Sequence, residues 1–188
     1  MDIVYTQPLK ELLQVSTYLN EKLIVLVSNE KDEKVAKQNG LIPCYLIDSK
    51  TTDSDLNKLK GKKRAVLGGS IAANELAAKI SADFLLQPAN SKQFFDLGLA
   101  KKLSDSNTTV VLMFEELMKL NSFERHLFWK NFMEVARFCS LKKTNFMVAS
   151  GCKDPLHLRP AKVREELAVL LGCRREEARN VIESGVKE

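Results

Sequence analysis

Short apolar runs alternate along the chain with segments in which apolar residues recur at every third or fourth position. Several runs are almost continuously apolar, such as Leu23–Val27 and the Val-Val-Leu-Met-Phe stretch of residues 110–114. Strands that are buried on both faces of a parallel sheet have this pattern. The pattern predicts seven strands, which are Asp2–Tyr5, Leu23–Val27, Pro43–Asp48, Arg64–Leu67, Asp83–Gln87, Thr109–Met113 and Asn145–Ala149.

The segments between these strands predict helices with recognisable ends. Ser70 can cap a helix over Ile71–Ile80, and Asn121-Ser-Phe-Glu124 has the spacing of a capping box at the start of the longest helix. Pro160 fits the first turn of a later helix, which Gly172 terminates. Strand–helix units in succession predict one α/β domain over residues 1–188, built either as a small (β/α) barrel or as an open doubly wound sheet.

Composition narrows the class of protein. The chain is 45% hydrophobic and 28% charged, which is ordinary for a globular protein. Its longest apolar runs are too short to span a bilayer, and Met1–Tyr5 lacks the flanks of a signal peptide. We therefore expect a soluble cytoplasmic protein with no membrane partner. The cysteines lack Cys-x-x-Cys spacing and lie in or beside apolar runs, which indicates buried, reduced thiols at Cys44, Cys139, Cys152 and Cys173.

Two arrangements near the predicted strand ends contain the residue types of an active site. Cys152, Asp154 and His157 follow the last strand and could act as nucleophile, orienting group and base. Sequence proximity alone supports that triad, so we favour Cys152 as a small buried residue that closes the strand. Glu115 and Glu116 are adjacent, so on a helix they point about 100° apart and form a poor acid–base pair.

Two other features could serve phosphate or metal chemistry. Gly68-Gly69-Ser70 precedes a helix and could bind phosphate through free backbone N–H groups, but a tight turn followed by a cap explains it more simply. The chain has two histidines, His126 and His157, which are few ligands for the metal centre of a phosphoesterase. We expect no catalytic residue and no metal site.

The charge distribution favours a polyanionic partner. The formal net charge is +5, and basic residues are frequent from the longest helix onward. Arg159 precedes a helix N-terminus and Lys153 follows the last strand, so each could bind a phosphate. Pairing of these cations with nearby carboxylates is the alternative, because glutamates such as Glu165 and Glu166 are interspersed among them.

The second half of the chain resembles a known family. Its ordered segments are similar to those of the archaeal ribonuclease P protein component 3 family, which is related to a eukaryotic RNase P/MRP subunit and distantly to PHP-type barrels. The N-terminal half agrees only in its alternation of strands and helices. The segments are Ser81–Pro88, Phe95–Lys101, Thr109–Leu117, Phe123-Glu-Arg125, Phe146–Cys152, Leu158-Arg159-Pro160 and the Leu-Leu-Gly-Cys that ends at Cys173.

This resemblance implies a compact, PHP-like, TIM-barrel-like (β/α) fold with about seven parallel strands. It also implies a noncatalytic subunit of ribonuclease P, which removes the 5′ leader of precursor tRNA. Such a chain would bind no cofactor itself, and Mg²⁺ would serve the RNA subunit. The implied partners are RNase P RNA, precursor tRNA within the holoenzyme, protein component 2 and other RNase P proteins.

For RNA contacts we expect five basic residues, which are Lys142, Lys143, Lys153, Arg159 and Arg164. A metal-dependent PHP-type phosphoesterase, or another small barrel enzyme, is the alternative from a different class. An interaction module without RNA affinity is a third possibility.

Overall fold

Seven parallel strands form one sheet in the order of the chain. The computed structural model describes residues 1–5, 9–48, 51–89, 92 and 94–184. Within these residues the strands are β1 Asp2–Tyr5, β2 Leu23–Val27, β3 Ile42–Ile47, β4 Arg64–Leu67, β5 Phe84–Leu86, β6 Thr109–Met113 and β7 Phe146–Ala149.

Helices connect the strands and cover the outside of the sheet. They are α1 Leu9–Leu19, α2 Glu30–Gln38, α3 Asp53–Lys58, α4 Ile71–Lys79, α5 Leu97–Asp105, α6 Phe114–Met118, α7 Ser122–Lys142, α8 Ala161–Leu170 and α9 Arg175–Ser184. A 3₁₀ turn, Pro155–His157, lies between β7 and α8. None of the described helices is both long and apolar enough to cross a membrane.

The strands predicted from the apolar runs are confirmed, with small shifts at their ends. β5 is shorter than predicted because Gln87 has a φ of 49°, which takes the chain out of the extended conformation. At the other end of β5, the Asp83 carboxylate accepts a hydrogen bond from the Arg64 backbone N–H at 2.8 Å. The predicted capping box of α7 is also confirmed, since the Asn121 side chain and Glu124 satisfy each other's backbone N–H groups.

The sheet curves until its first and last strands meet. The Gly151 N–H donates to the Ile3 carbonyl at 2.9 Å, and the Tyr5 N–H donates to the Cys152 carbonyl at 3.1 Å. These two bonds join β1 to the residues that directly follow β7. The molecule is therefore a nearly closed TIM-barrel-like α/β barrel, and the open doubly wound sheet is excluded.

Side chains alternate between the barrel interior and the layer under the helices, as the two-residue period of a strand requires. The outer layer contains α4, α5, α7 and α8, with the rings of Phe128 and Phe132 stacked at 4.6 Å. The interior is filled by Ile3, Ile24, Leu26, Cys44, Ala65, Phe84, Leu86, Val111, Met113, Met147 and Ala149.

Gly151 is required where the barrel closes. Its φ is 62°, a left-handed conformation that glycine adopts without the penalty of a side chain. A Cβ at this position would lie 2.7 Å from the Met113 Cβ, inside the barrel wall. Both the backbone conformation and the available space therefore exclude a larger residue at the closure.

We predict that Gly151→Ala destabilises the protein more than Gly40→Ala does. Gly40 also has a positive φ, 70°, but a Cβ added there would have no atom within 4 Å. Gly40→Ala should therefore cost only the left-handed penalty, about 1 kcal/mol. Gly151→Ala should cost about 1 to 3 kcal/mol more, because the methyl group overpacks against Met113. Urea unfolding of both variants measures the difference, and equal free energies of unfolding would contradict this account of the closure.

Candidate nucleic-acid interface

The five predicted RNA-binding residues do not form one surface. Lys142 and Lys143 end α7 and precede β7, so they lie where the strands of the barrel begin. Lys153 and Arg159 follow β7 and lie at the opposite end, where the strands finish. We call this second end the barrel mouth. The sequence could not separate the two pairs, because their side-chain chemistry is the same.

Arg164 lies in neither place, and its burial argues against the predicted contact with RNA. Its side chain is 0% exposed, on the face of α8 that packs against the barrel. It donates to the Met1 carbonyl at 2.6 Å and to the Arg159 carbonyl at 3.1 Å. Its guanidinium also lies 2.8 Å from a Glu21 carboxylate oxygen and 3.7 Å from one of Asp2. A guanidinium held in this way has no surface to offer a phosphate.

Asp2 is the central acceptor of this buried cluster. One of its carboxylate oxygens accepts backbone N–H groups from both Ile3 and Ser150, each at 2.8 Å. Burial raises the pKa of the Asp2 carboxyl, and the charge of Arg164 opposes that shift. Asp2 therefore ties the first strand of the barrel to the residue after the last strand, with Arg164 as its counter-charge.

We predict that Arg164→Met lowers the free energy of unfolding by about 3 to 5 kcal/mol, because the buried Asp2 carboxylate would lose its arginine counter-charge and Glu21 would keep only the Met1 amino group. Lys162→Met, an exposed position on the same helix, is the control and should change stability by no more than about 0.5 kcal/mol. Thermal and urea unfolding measure both variants. An Arg164→Met protein of wild-type stability with weakened RNA binding would restore Arg164 as a contact residue.

Cys152, Asp154 and His157 do not assemble a catalytic triad. Cys152 is fully buried, and burial together with the nearby charges of Asp2 and Glu115 raises the pKa of its thiol to about 12. The Asp154 side chain accepts the Leu156 N–H at 2.9 Å and so caps the 3₁₀ turn.

The imidazole that would have to activate Cys152 points elsewhere. The His157 side chain is 53% exposed, and its Nδ1 lies 3.9 Å from a Glu115 carboxylate oxygen. No hydrogen bond links His157 to Cys152 in the described part of the chain. The interpretation of Cys152 as a small buried residue that closes the strand is confirmed.

We predict that the native protein reacts slowly with a thiol reagent such as iodoacetamide. All four cysteines are free and buried, and a protonated, inaccessible thiol is a poor nucleophile. The reaction should proceed only as fast as the protein opens, whereas the protein in denaturant should label at all four sites within minutes. Mass spectrometry of the labelled peptides measures this, and selective, rapid labelling of Cys152 would contradict the assignment.

The remaining two cations lie beside aromatic rings at the barrel mouth. The Lys153 Nζ lies 5.1 Å from the centre of the Tyr5 ring, and the Arg159 guanidinium carbon lies 5.7 Å from that of Phe114. Neither side chain belongs to an ion pair among the described residues. A cation over a ring face keeps most of its N–H donors available, so both can still bind a phosphate.

The backbone holds these two cations in place. The Arg159 N–H donates to the Ser150 Oγ at 2.8 Å, and the Lys153 N–H donates to a Glu115 carboxylate oxygen at 3.1 Å. The carbonyl of Arg159 accepts from the buried Arg164. Both cations are thus carried by a segment that is fixed to the barrel closure.

Lys119 partly compensates two carboxylates at the mouth. Lys119 lies 3.6 Å from Glu115 and 2.7 Å from Glu116, at the i+4 and i+3 positions of the same helical segment. Burial raises the pKa of the Tyr5 hydroxyl, and the charge of Glu116 adds to that shift. Sequence reasoning missed Lys119, although its spacing from the two glutamates was a visible signal. It also missed Tyr5 and Phe114, whose roles depend on contacts that only the fold creates.

An open cleft of about 480 Å³ lies next to these residues. Both polar and apolar residues line it, and they are Tyr5, Leu67, Gly68, Gly69, Gln87, Ala89, Glu116, Leu120, Glu124 and Phe128. The Gly68-Gly69-Ser70 segment forms a tight turn and a cap, as favoured from the sequence. Ser70 accepts the Ala73 N–H at 3.2 Å, and a Cβ on Gly68 would lie 2.6 Å from the Asn74 Oδ1.

In the residues that the structure covers, no group of three or more His, Cys, Asp or Glu side chains has an arrangement that could hold a metal ion. Two polar side chains near the strand ends are bonded to backbone. Gln87 exchanges two hydrogen bonds with the Met113 backbone, at 3.1 and 3.3 Å, and Asn74 donates to the carbonyls of Pro88 and Phe94.

These features define a nearly closed parallel α/β barrel with a cationic and aromatic edge at its mouth. No family model matches the sequence, and no curated protein matches it. Solved structures do match the fold. A chain in the cryo-EM structure of archaeal ribonuclease P with mature tRNA is similar with a TM-score of 0.81 and 16% identity, over 98% of this chain and 88% of that chain.

A second similar structure is the crystal structure of an uncharacterized protein. Its TM-score is 0.54 at 9% identity, and the similarity covers 81% of this chain but only 45% of the other. At these identities the two likenesses establish the fold, and function has to be argued from the residues at the site.

Proposed function

We propose that this chain is a protein subunit of ribonuclease P, the ribonucleoprotein that removes the 5′ leader of precursor tRNA. The observation that carries the proposal is the similarity of almost the entire chain to a chain in an archaeal ribonuclease P complex with mature tRNA. The ordered sequence segments that resemble protein component 3 support the same assignment independently of the structure.

In this proposal the protein binds RNase P RNA through cations and leaves the hydrolysis to the RNA. Lys153 and Arg159 are the primary phosphate contacts, since aromatic rings rather than carboxylates face their side chains. Lys142 and Lys143 form a second contact at the other end of the barrel. Neutralising crowded phosphates lets the RNA fold with less Mg²⁺, so the protein supports a Mg²⁺-dependent RNA active site without binding that metal itself.

The proposed partners are RNase P RNA, precursor tRNA within the holoenzyme, protein component 2 and other RNase P proteins. We propose a cytoplasmic location for the assembly. The protein's part of the work is to position RNA, which requires a rigid scaffold with outward-facing cations.

We predict that adding this chain to RNase P RNA and the partner proteins increases 5′-leader cleavage at limiting Mg²⁺. Lys153→Ala with Arg159→Ala should remove most of that increase. The same double variant should reduce the magnitude of the log–log salt slope of RNA binding by about 1.4 to 1.8, at roughly 0.7 to 0.9 per phosphate contact. Cleavage rates and salt-titrated binding measure the two effects.

The matched control removes the same number of positive charges from ion pairs elsewhere. Lys101 lies 2.6 Å from Asp105, and Lys102 lies 2.8 Å from Glu75. Lys101→Ala with Lys102→Ala should leave both the slope and the cleavage rate near their wild-type values. No effect of the wild-type chain on reconstituted cleavage would contradict the proposal. Cleavage by the protein alone, without any RNA subunit, would favour the phosphoesterase alternative.

A further inference from the structure

We infer that the cleft at the barrel mouth binds one unstacked base of single-stranded RNA, and that this base carries an exocyclic amino group. Lys153 and Arg159 would hold the phosphates on either side of that base. The inference rests on the RNA-binding part of the proposed function. It assigns a ligand to the cleft, which the proposed phosphate contacts do not occupy.

Tyr5 connects the cleft to the cationic edge. Its half-buried ring lines the cleft, and the Lys153 Nζ lies 5.1 Å from the ring centre. A nucleotide whose base lies against this ring would thus bring its phosphate within reach of the ammonium group. Alternating rings and cations are typical of surfaces that bind single strands, because every base can stack and every nucleotide carries a phosphate.

The size and walls of the cleft fit a planar, partly apolar ligand. Its volume of about 480 Å³ falls in the range of roughly 300 to 1,000 Å³ that small-molecule sites occupy. Phe128, Leu67 and Leu120 contribute apolar side chains to the lining, which also includes the carboxylates of Glu116 and Glu124. A base offers apolar faces and a polar edge, so a lining that contains both apolar and polar groups suits it.

Two carboxylates in the lining of the cleft, those of Glu116 and Glu124, can still accept hydrogen bonds. The Gln87 amide is held in one orientation by its two hydrogen bonds to the Met113 backbone. One Glu116 oxygen lies 2.7 Å from Lys119, and one Glu124 oxygen accepts the Asn121 N–H at 3.3 Å, which leaves the second oxygen of each carboxylate. Carboxylates accept hydrogen bonds from amino groups, such as N4 of cytosine, and repel phosphate.

These charges also orient the ligand. A phosphate inside the cleft would meet two carboxylates, whereas on the neighbouring edge it meets Lys153 and Arg159. The strand should therefore place its backbone along the cationic edge and its base in the cleft. Exposed apolar side chains near the mouth, including Phe123 at 71% exposure and Met118 at 52%, would also suit an apolar side chain of a partner protein. The adjacent cations favour RNA.

The test compares the binding of two fluorescent RNA octamers, oligo(C) and oligo(U), by fluorescence anisotropy at one fixed salt concentration. Wild-type protein should bind oligo(C) about 5-fold or more tightly than oligo(U), because only cytosine presents an amino group. Tyr5→Leu should weaken the binding of both octamers by about 5- to 100-fold, through the loss of stacking. Tyr18→Leu is the control, since Tyr18 is a highly exposed tyrosine on α1.

A second variant keeps the inference testable if Tyr5→Leu fails to fold. Glu116→Gln with Glu124→Gln should reduce the preference for oligo(C) to about one, and glutamine at position 124 preserves the capping box. The control, Glu11→Gln with Glu176→Gln, changes the net charge equally at exposed positions on other helices and should retain the preference.

Equal binding of the two octamers by the wild-type protein, or an unchanged preference in the double glutamine variant, would overturn the inference. Normal RNA binding by the cleft variants together with weaker assembly with partner proteins would assign the cleft to a protein contact instead. Each of these results leaves the proposed function intact if the wild-type chain still increases reconstituted cleavage. If octamer binding depended on the cleft but the wild-type chain had no effect on reconstituted cleavage, the proposed function would be contradicted and the inference about the cleft would stand.

Discussion

The buried pair of Asp2 and Arg164 is the interaction on which the rest of the structure depends. A barrel of short strands has to join its first and last strands, and here the Asp2 carboxylate accepts N–H groups from β1 and from Ser150 after β7. A lone carboxylate in this position would be strongly destabilising. Arg164, on α8, supplies the compensating charge and also donates to the Met1 carbonyl. The closure therefore involves α8 as well as the first and last strands.

The same cluster fixes the geometry of the barrel mouth. Arg164 donates to the Arg159 carbonyl, and Ser150 accepts the Arg159 N–H, so the backbone of Arg159 is held on both sides while its guanidinium faces Phe114. A cation on a fixed backbone loses less conformational entropy on binding a phosphate than one on a free loop. The closure therefore also preorganises the surface that we propose for RNA.

Local patterns predicted the elements well and the site only in part. The apolar runs predicted all of the described strands, and the Asn121–Glu124 spacing predicted the start of α7, because strands and caps depend on nearby residues. The burial of Arg164 depends on Asp2 and Glu21, which are more than a hundred positions away in the chain. From sequence, a basic residue that neutralises a buried carboxylate looks the same as one that faces a polyanion. Only the contacts between distant residues at the barrel closure distinguish these two roles.

The hydrogen bonds of the polar side chains at the barrel mouth favour a ligand-binding role over a catalytic one. Gln87, Asn74 and Ser150 lie at or near strand ends, where barrel enzymes place reactive groups, yet each is bonded to backbone in this protein. Cys152 is buried with a raised pKa, so its nucleophilic form is suppressed. The groups that do face solvent are cations beside rings and carboxylates beside a cleft. Such groups suit many modest contacts with a charged, stacked polymer, which is the RNA-positioning role that we propose for this protein.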